Sequence, residues 1–109
     1  MNFKIIYTAS FEKEFKKLSS KNPSLKSDFN SFLVSLHKNP KQGVSLGNNC
    51  FKLRMAIASK GKGKSGGARI ITWVKIMNEL IFLVSIYDKS VQKTITDKEI
   101  QERLKPYLR

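Results

Sequence analysis

Histidine, cysteine and tryptophan occur once each in these 109 residues, and no aspartate or glutamate stands between positions 29 and 78. A single cysteine, Cys50, excludes an internal disulfide. With one histidine, His37, near the polar end of a predicted helix, neither a cysteine–histidine nucleophile nor a metal site with ordinary ligand spacing can be assembled, so no metal and no cofactor are expected. Long apolar runs are missing too. The longest, Leu80 to Ile86, has the length of a strand and falls far short of the ~20 residues needed to span a bilayer. The opening Met-Asn-Phe-Lys-Ile-Ile-Tyr-Thr lacks the apolar stretch of a signal peptide, and a cytoplasmic protein is expected.

Positive charge is what the chain has in excess. The formal net charge is +13, and nine lysines and arginines fall in the acid-free region from 29 to 78. Such a field calls for a polyanion, most simply nucleic acid. Apolar content of 40% and charge of 27% are otherwise ordinary for a globular protein, and the length allows a single domain, residues 1–109.

Residues 58–65 read ASKGKGKS, the spacing of a phosphate-cradling nucleotide loop. That loop must join a strand to the N-terminus of a helix. Here Phe51 to Ile57 alternates as a strand should, but Ala68 to Ile76 is β-branched and aromatic with no N-cap, so a second strand follows and ATP binding is set aside.

The remaining elements follow from periodicity and stop signals. Phe3 to Thr8 predicts a first strand, and Phe11, Phe15 and Leu18 predict a helix over residues 9 to 20. Asn22-Pro23 reads as an N-cap with proline at the first helical position, opening a second helix that ends near Lys38. Residues 42–49 read as a loop without evident chemistry, and strands are predicted at 50–58, 68–77 and 80–88. Thr96 and Glu99 match a capping box before a short helix carrying Ile100, Leu104 and Leu108 on one face and disturbed by Pro106. The fold class is α+β, in the order β-α-α-β-β-β-α, with a small mainly antiparallel sheet and two helices on one face.

Side chains alternate across a strand, so parity sorts the cations. If Phe51, Leu53, Met55 and Ile57 face the helices, Lys52 and Arg54 face away. Arg69, Trp73 and Lys75 share that outer face, while in the last strand Leu80, Phe82, Val84 and Ile86 point inward and leave Tyr87 and Lys89 outward. Lys60, Lys62 and Lys64 overhang one end. A face with five such groups and no carboxylate can hold phosphates. Clustered cations also disfavour their own protonation, which suits a lysine for accepting a proton. As exposed strand charges, Lys52, Arg54 and Arg69 should each contribute no more than ~0.5 kcal/mol to folding.

The element order, the pair Lys52 and Arg54, the stretch Ser59-Lys60-Gly61-Lys62-Gly63-Lys64-Ser65-Gly66-Gly67-Ala68-Arg69 and the run Leu83 to Lys89 together resemble the RelE/ParE superfamily of type II toxins, most closely its HigB-like branch. The resemblance spans nearly the whole chain. It implies a ribosome-dependent endoribonuclease that cuts messenger RNA in the A site, with Lys52, Arg54, Arg69, Tyr87 and Lys89 as catalytic candidates. Lys60, Lys62, Lys64, Trp73 and Lys75 are then RNA-binding candidates. The loop is longer than in the best-studied members, and Tyr87 or Tyr107 would stand in for a C-terminal tyrosine. The implied partners are the ribosome, its message and a cognate antitoxin of helix-turn-helix type through which operator DNA is reached. A gyrase poison of the ParE kind and a nonenzymatic RNA-binding module remain alternatives at this level.

Overall fold

The computed structural model describes residues 3–91 and 94–108. Its elements are β1 (Lys4–Tyr7), α1 (Ala9–Lys21), α2 (Leu25–Lys38), β2 (Val44–Gly47), β3 (Cys50–Met55), β4 (Ala68–Lys75), β5 (Leu80–Asp88) and α3 (Asp97–Leu104). The five strands form one sheet in the order β1-β5-β4-β3-β2, antiparallel except for the parallel pairing of β1 with β5. The α+β class and the succession of helices and long strands are therefore as expected.

Local chemistry explains the helix boundaries. The Thr8 hydroxyl accepts from the Phe11 N–H and opens α1, and the Thr96–Glu99 capping box closes in both directions at α3. At α2 the expectation fails. Asn22 ends α1 instead, its side-chain amide donating to the Leu18 carbonyl, and α2 begins at Leu25. Ser24 precedes it, with its hydroxyl committed to Asp28 and Ser59 rather than to the helix end.

A fifth strand, β2, lies where a loop was expected. The hairpin from β2 to β3 turns through Asn48 and Asn49, both at positive φ (52° and 62°), the backbone pattern of a tight two-residue hairpin turn. Gly43 makes the approach possible, because a Cβ there would stand 2.6 Å from the Lys52 carbonyl oxygen. The predicted 50–58 and 68–77 strands end sooner, at Met55 and Lys75, where short 3₁₀ turns take over.

Two apolar clusters sandwich the sheet. On one side α1 and α2 bury Phe11, Leu25, Phe29, Phe32 and Leu36 against Leu53, Met55, Ile70 and Val74. On the other, α3 covers part of the face with Ile100 and Leu104, over Ile71, Phe82 and Val84. Leu108 stays half exposed, since the chain turns at Pro106. This second cluster overturns part of the parity reading. Ile81 and Leu83 join the helix-side cluster and Phe82 and Val84 the other, because the register slips between Ile71, opposite Ser85, and Thr72, opposite Leu83. One extra residue in β5, Val84, inverts the parity of every residue before it and leaves Ile86 and Tyr87 as expected.

Glu14 of α1 fastens this arrangement at the sheet edge. Its Oε1 accepts from the Ser85 hydroxyl (3.0 Å), the Ile86 N–H (3.3 Å) and Arg103 Nη1 of α3 (2.9 Å). No helix among the described residues is long and apolar enough to cross a membrane.

Candidate functional site

Where α3 stops, the outer face of the sheet carries charge. Arg54 of β3, Arg69 of β4 and Tyr87 of β5 stand in register across three strands, with Lys52 two residues back along β3. Lys52, Arg54, Lys64, Arg69 and Lys89 converge on one cavity of about 430 Å³, closed on its β2 side by Gln42, Gly43 and Val44. Three ion pairs occur among the described residues, Lys60–Asp88, Arg103–Glu14 and Lys105–Glu102, and none involves a cation of this cavity. Five unneutralised positive groups thus share one depression. Like charges directly opposite on neighbouring strands, such as Arg54 and Arg69, destabilise the sheet, and an anion between them would relieve that repulsion.

The lysine–glycine loop, residues 58–67, forms the rim. Its base is pinned to the start of α2, where Asp28 Oδ2 accepts from the Ala58 N–H at 3.0 Å and Ser24 Oγ accepts from the Ser59 N–H at 2.8 Å. Its far end rests on Gly67, where a Cβ would meet the Met55 carbonyl at 2.2 Å, so only glycine fits. Between these ends Arg69 reaches back into the loop. Nη1 donates to the Lys64 carbonyl (3.0 Å) and Nη2 to the Ser65 carbonyl (3.2 Å), and the side chain is buried, with 6% of its surface exposed. The guanidinium is therefore a brace that holds Lys64 over the cavity as well as a source of charge in its wall.

The other sequence candidates are placed differently. Lys60 turns away from the cavity, its ammonium 2.8 Å from both Asp88 carboxylate oxygens and 3.3 Å from Ser90 Oγ. Burial pushes the Asp88 carboxyl up, but hydrogen bonds from Lys60 and Ser90 and the Lys60 charge outweigh it and hold the group below its usual range. Lys62 is exposed on the loop outside the cavity wall. Trp73 packs on Phe82 at 4.9 Å between ring centroids, and Phe82 on Tyr107 at 5.5 Å, so its ring belongs largely to the cluster under α3. Lys75 ends β4, about 20 Å from Arg69 along the strand at ~3.3 Å per residue.

Tyr87 is buried beside this site rather than open to it. Burial raises its pKa, with a hydrogen bond to Thr94 and the Arg69 charge acting in the opposite sense, so the phenol stays protonated at neutral pH. It lines a separate depression at the β5 edge, with Glu14 and Leu18 of α1. Lys89, one residue beyond β5, is held by its own N–H on the Gly67 carbonyl at 3.2 Å. Sequence reasoning missed Gln42 and Gly43 as wall residues and Asp28 as the loop's anchor. The signal for the wall was the Gly43 and Asn48-Asn49 pattern, which marks a strand folding back on its neighbour. For Asp28 there was none, since beyond the local Ser24 hydroxyl its partner is the distant backbone N–H of Ala58. Among the described residues no three His, Cys, Asp or Glu side chains gather as a metal site would require.

Comparison with known proteins places these features in a family context. A family model described as the RelE toxin of the RelE/RelB toxin–antitoxin system matches residues 3–106. Among solved structures, a double arginine-to-alanine variant of the Escherichia coli toxin RelE in its free state superposes with a TM-score of 0.65 at 18% identity, over 99% of this chain and 100% of that one. A chain of the intact Escherichia coli RelBE toxin–antitoxin complex gives 0.61 at 20% identity, over 81% of this chain and 96% of that one. The same RelE variant bound to a peptide of its antitoxin RelB gives 0.61 at 18% identity, over 96% and 97%. At these identities the structures share the fold with this chain.

Proposed function

The chain belongs to the RelE toxin family, and from that membership we propose that it cuts messenger RNA on the ribosome through the RNA's own 2'-hydroxyl. The observation that carries the proposal is the single cavity in which Lys52, Arg54, Lys64, Arg69 and Lys89 meet without a carboxylate. Such a cavity suits a phosphodiester and the charge that builds on it during transfer. Water activation by a metal has no ligand set among the described residues, whereas RNA carries a nucleophile beside every scissile phosphate.

The chemistry then needs two proton movements. The 2'-oxygen forms a bond to phosphorus as the bond to the 5'-oxygen breaks. One cavity amine takes the 2'-hydroxyl proton and another gives one to the departing 5'-oxygen; Lys52 and Lys89 are the pair for these roles. Arg54 and Lys64 stabilise the phosphate oxygens, while Arg69 keeps Lys64 in place. The products are a 2',3'-cyclic phosphate and a 5'-hydroxyl. The loop's Lys60-Gly61-Lys62-Gly63-Lys64 run with its trailing Gly-Gly-Ala-Arg supports a place in the HigB-like branch.

The cognate partner is an antitoxin of helix-turn-helix type, which would carry the complex to operator DNA and mask this basic face. The site of action is the cytoplasm. A ribosome programmed with a message bearing a 2'-deoxy sugar at the cut position tests the chemistry. Cleavage of all-RNA message with none of the deoxy message is expected, and equal cutting of both refutes the 2'-hydroxyl route. Gyrase-linked DNA damage without any message cleavage would instead support a poison of the ParE kind.

A further inference from the structure

The basic cavity does not end at Arg54. A second depression of about 250 Å³ lies on the α2 side of β3, and the two share Gln42, Arg54 and Lys64 as a common wall. They can meet there because β2 pairs with β3 only from Cys50 to Lys52, so the β3 edge beyond Lys52 has no neighbouring strand. The result is a groove that runs from the outer face of the sheet, past Arg54 and Lys64, to the helix face.

The chemical character changes along it. The first cavity has five cations and no carboxylate, whereas the second adds to the shared wall the Asp28 carboxylate, Ser31 and Ser35 and the apolar Phe32 and Met55. A carboxylate opposes a phosphate. An uncharged, flat, hydrogen-bonding group suits the second cavity better, and in RNA that group is a base splayed from the strand.

We propose that this second cavity is the binding site for the base of a nucleotide flanking the scissile phosphate, and that it selects bases carrying an exocyclic amino group over uracil. The inference rests on the nuclease reading above for its functional meaning. Its directionality comes from the hydrogen-bond inventory. Among the described residues both donors to the Asp28 side chain, the Ser24 hydroxyl and the Ala58 N–H, go to Oδ2, which leaves Oδ1 as an open acceptor. Gln42 spends its amide protons on Ser35 Oγ and the Asn39 carbonyl, each at 3.1 Å, and its Oε1, which accepts from the Ser35 hydroxyl at a long 3.4 Å, keeps a second lone pair to offer. Two acceptors match the two-proton amino groups of adenine, cytosine or guanine, whereas uracil offers a single N3–H flanked by two carbonyl oxygens that the acceptors disfavour.

Two variants and two readouts test this. In a translation extract, cut sites are mapped at nucleotide resolution for wild type, Asp28→Asn and Ser31→Phe. Wild type should avoid uracil, by about tenfold, at one of the two positions flanking the cut. Asp28→Asn keeps an oxygen for Ala58 and puts an amide donor in the open position, so the bias should shift toward uracil there. Ser31 is exposed on α2, so a phenylalanine there fills the cavity without entering the core, and the bias should flatten while cutting continues. No bias in wild type, or the same bias in both variants, overturns the proposal.

The second readout needs no catalysis. An all-2'-O-methyl trinucleotide is titrated into the labelled protein, and amide shifts are followed at Ser31, Ser35 and Ala56 and at Lys52 and Lys89. Both groups should respond in wild type, and only Lys52 and Lys89 in Ser31→Phe. Shifts confined to the basic cavity in wild type refute the second site. Shifts in both groups without cleavage in the extract would leave the base site standing and refute the nuclease reading.

Discussion

Replacing Arg69 by alanine should cost the protein stability as well as activity, and the amount can be worked out from its contacts. Two charge-assisted bonds to the loop, to the Lys64 and Ser65 carbonyls, are lost, each contributing a net ~1.5 kcal/mol at the low end for a charged donor. Removing a positive charge directly opposite Arg54 offsets about 0.2–1 kcal/mol of that. The net loss is then roughly 2–3 kcal/mol, or about 10–15 °C in Tm for a domain of this size. Arg54 is exposed and makes no bond to the loop, so Arg54→Ala should stay within ~0.5 kcal/mol of wild type. Thermal and urea unfolding followed by circular dichroism separate the two. Arg54→Ala should lose growth inhibition while keeping its Tm, and Arg69→Ala should lose both. If the two variants melt together, the brace has no energetic reality and Arg69 is an ordinary wall charge. The expectation that all three strand cations are replaceable without structural cost assumed exposure, which Arg69 lacks.

Asp88→Asn should weaken the anchor of the loop through Lys60. Because the Asp88 carboxyl is held below its unfolded value of 3.8, its stabilisation is present above that pH and is lost as pH falls through the lower folded pKa. The Tm difference between wild type and variant should therefore be constant near neutrality and close below about pH 3.8; a difference that persists undiminished in stronger acid refutes the pairing. Single neutralisation of Lys64 should reduce the salt slope of ribosome binding by about one unit and Lys62 by less, since Lys64 alone among the loop lysines lines the cavity. Slopes unchanged from wild type in both would place the loop outside the interface. Gly43→Ala should lower Tm by at least ~5 °C and disorder β2, as its Cβ would overlap the Lys52 carbonyl, and an unchanged melt would show that the hairpin can shift at little cost.

What could be read from the sequence was whatever depends on neighbours in the chain. The Thr96–Glu99 box, the apolar stripe of α2 and the alternation in β3 are local patterns, and each is found where it was expected. The parity argument placed Lys52, Arg54 and Arg69 on one face because β3 and the first part of β4 contain no irregularity before the bulge. The rest depends on distant partners. Nothing near Val84 announces an inserted residue, since the slip is defined by its pairing with β4. Arg69 looks like any exposed strand cation until a loop folds over it, and the carbonyls that satisfy it carry no side-chain signature. Lys60 could not be told from Lys62 or Lys64 without knowing that Asp88 ends the strand beside it. Phe82 and Val84 were assigned to the wrong core for a related reason. A short helix with two buried residues gives little warning that it will claim half of a sheet face.

The pairing of β1 with β5 also governs when the protein can become active. Lys4 to Tyr7 lie against Leu80 to Leu83, and the Thr8 hydroxyl donates to the Leu83 carbonyl, so β5, which joins β1 to the rest of the sheet, is the last strand made and its partner the first. At elongation rates of roughly 5–20 residues per second, the interval from residue 4 to residue 80 lasts about 4–15 s. Throughout that interval β4 has no β5, Lys89 does not yet exist, and the wall of the basic cavity is open on one side. The order in which the strands are made therefore keeps the cavity incomplete until β5 and Lys89 have been synthesised.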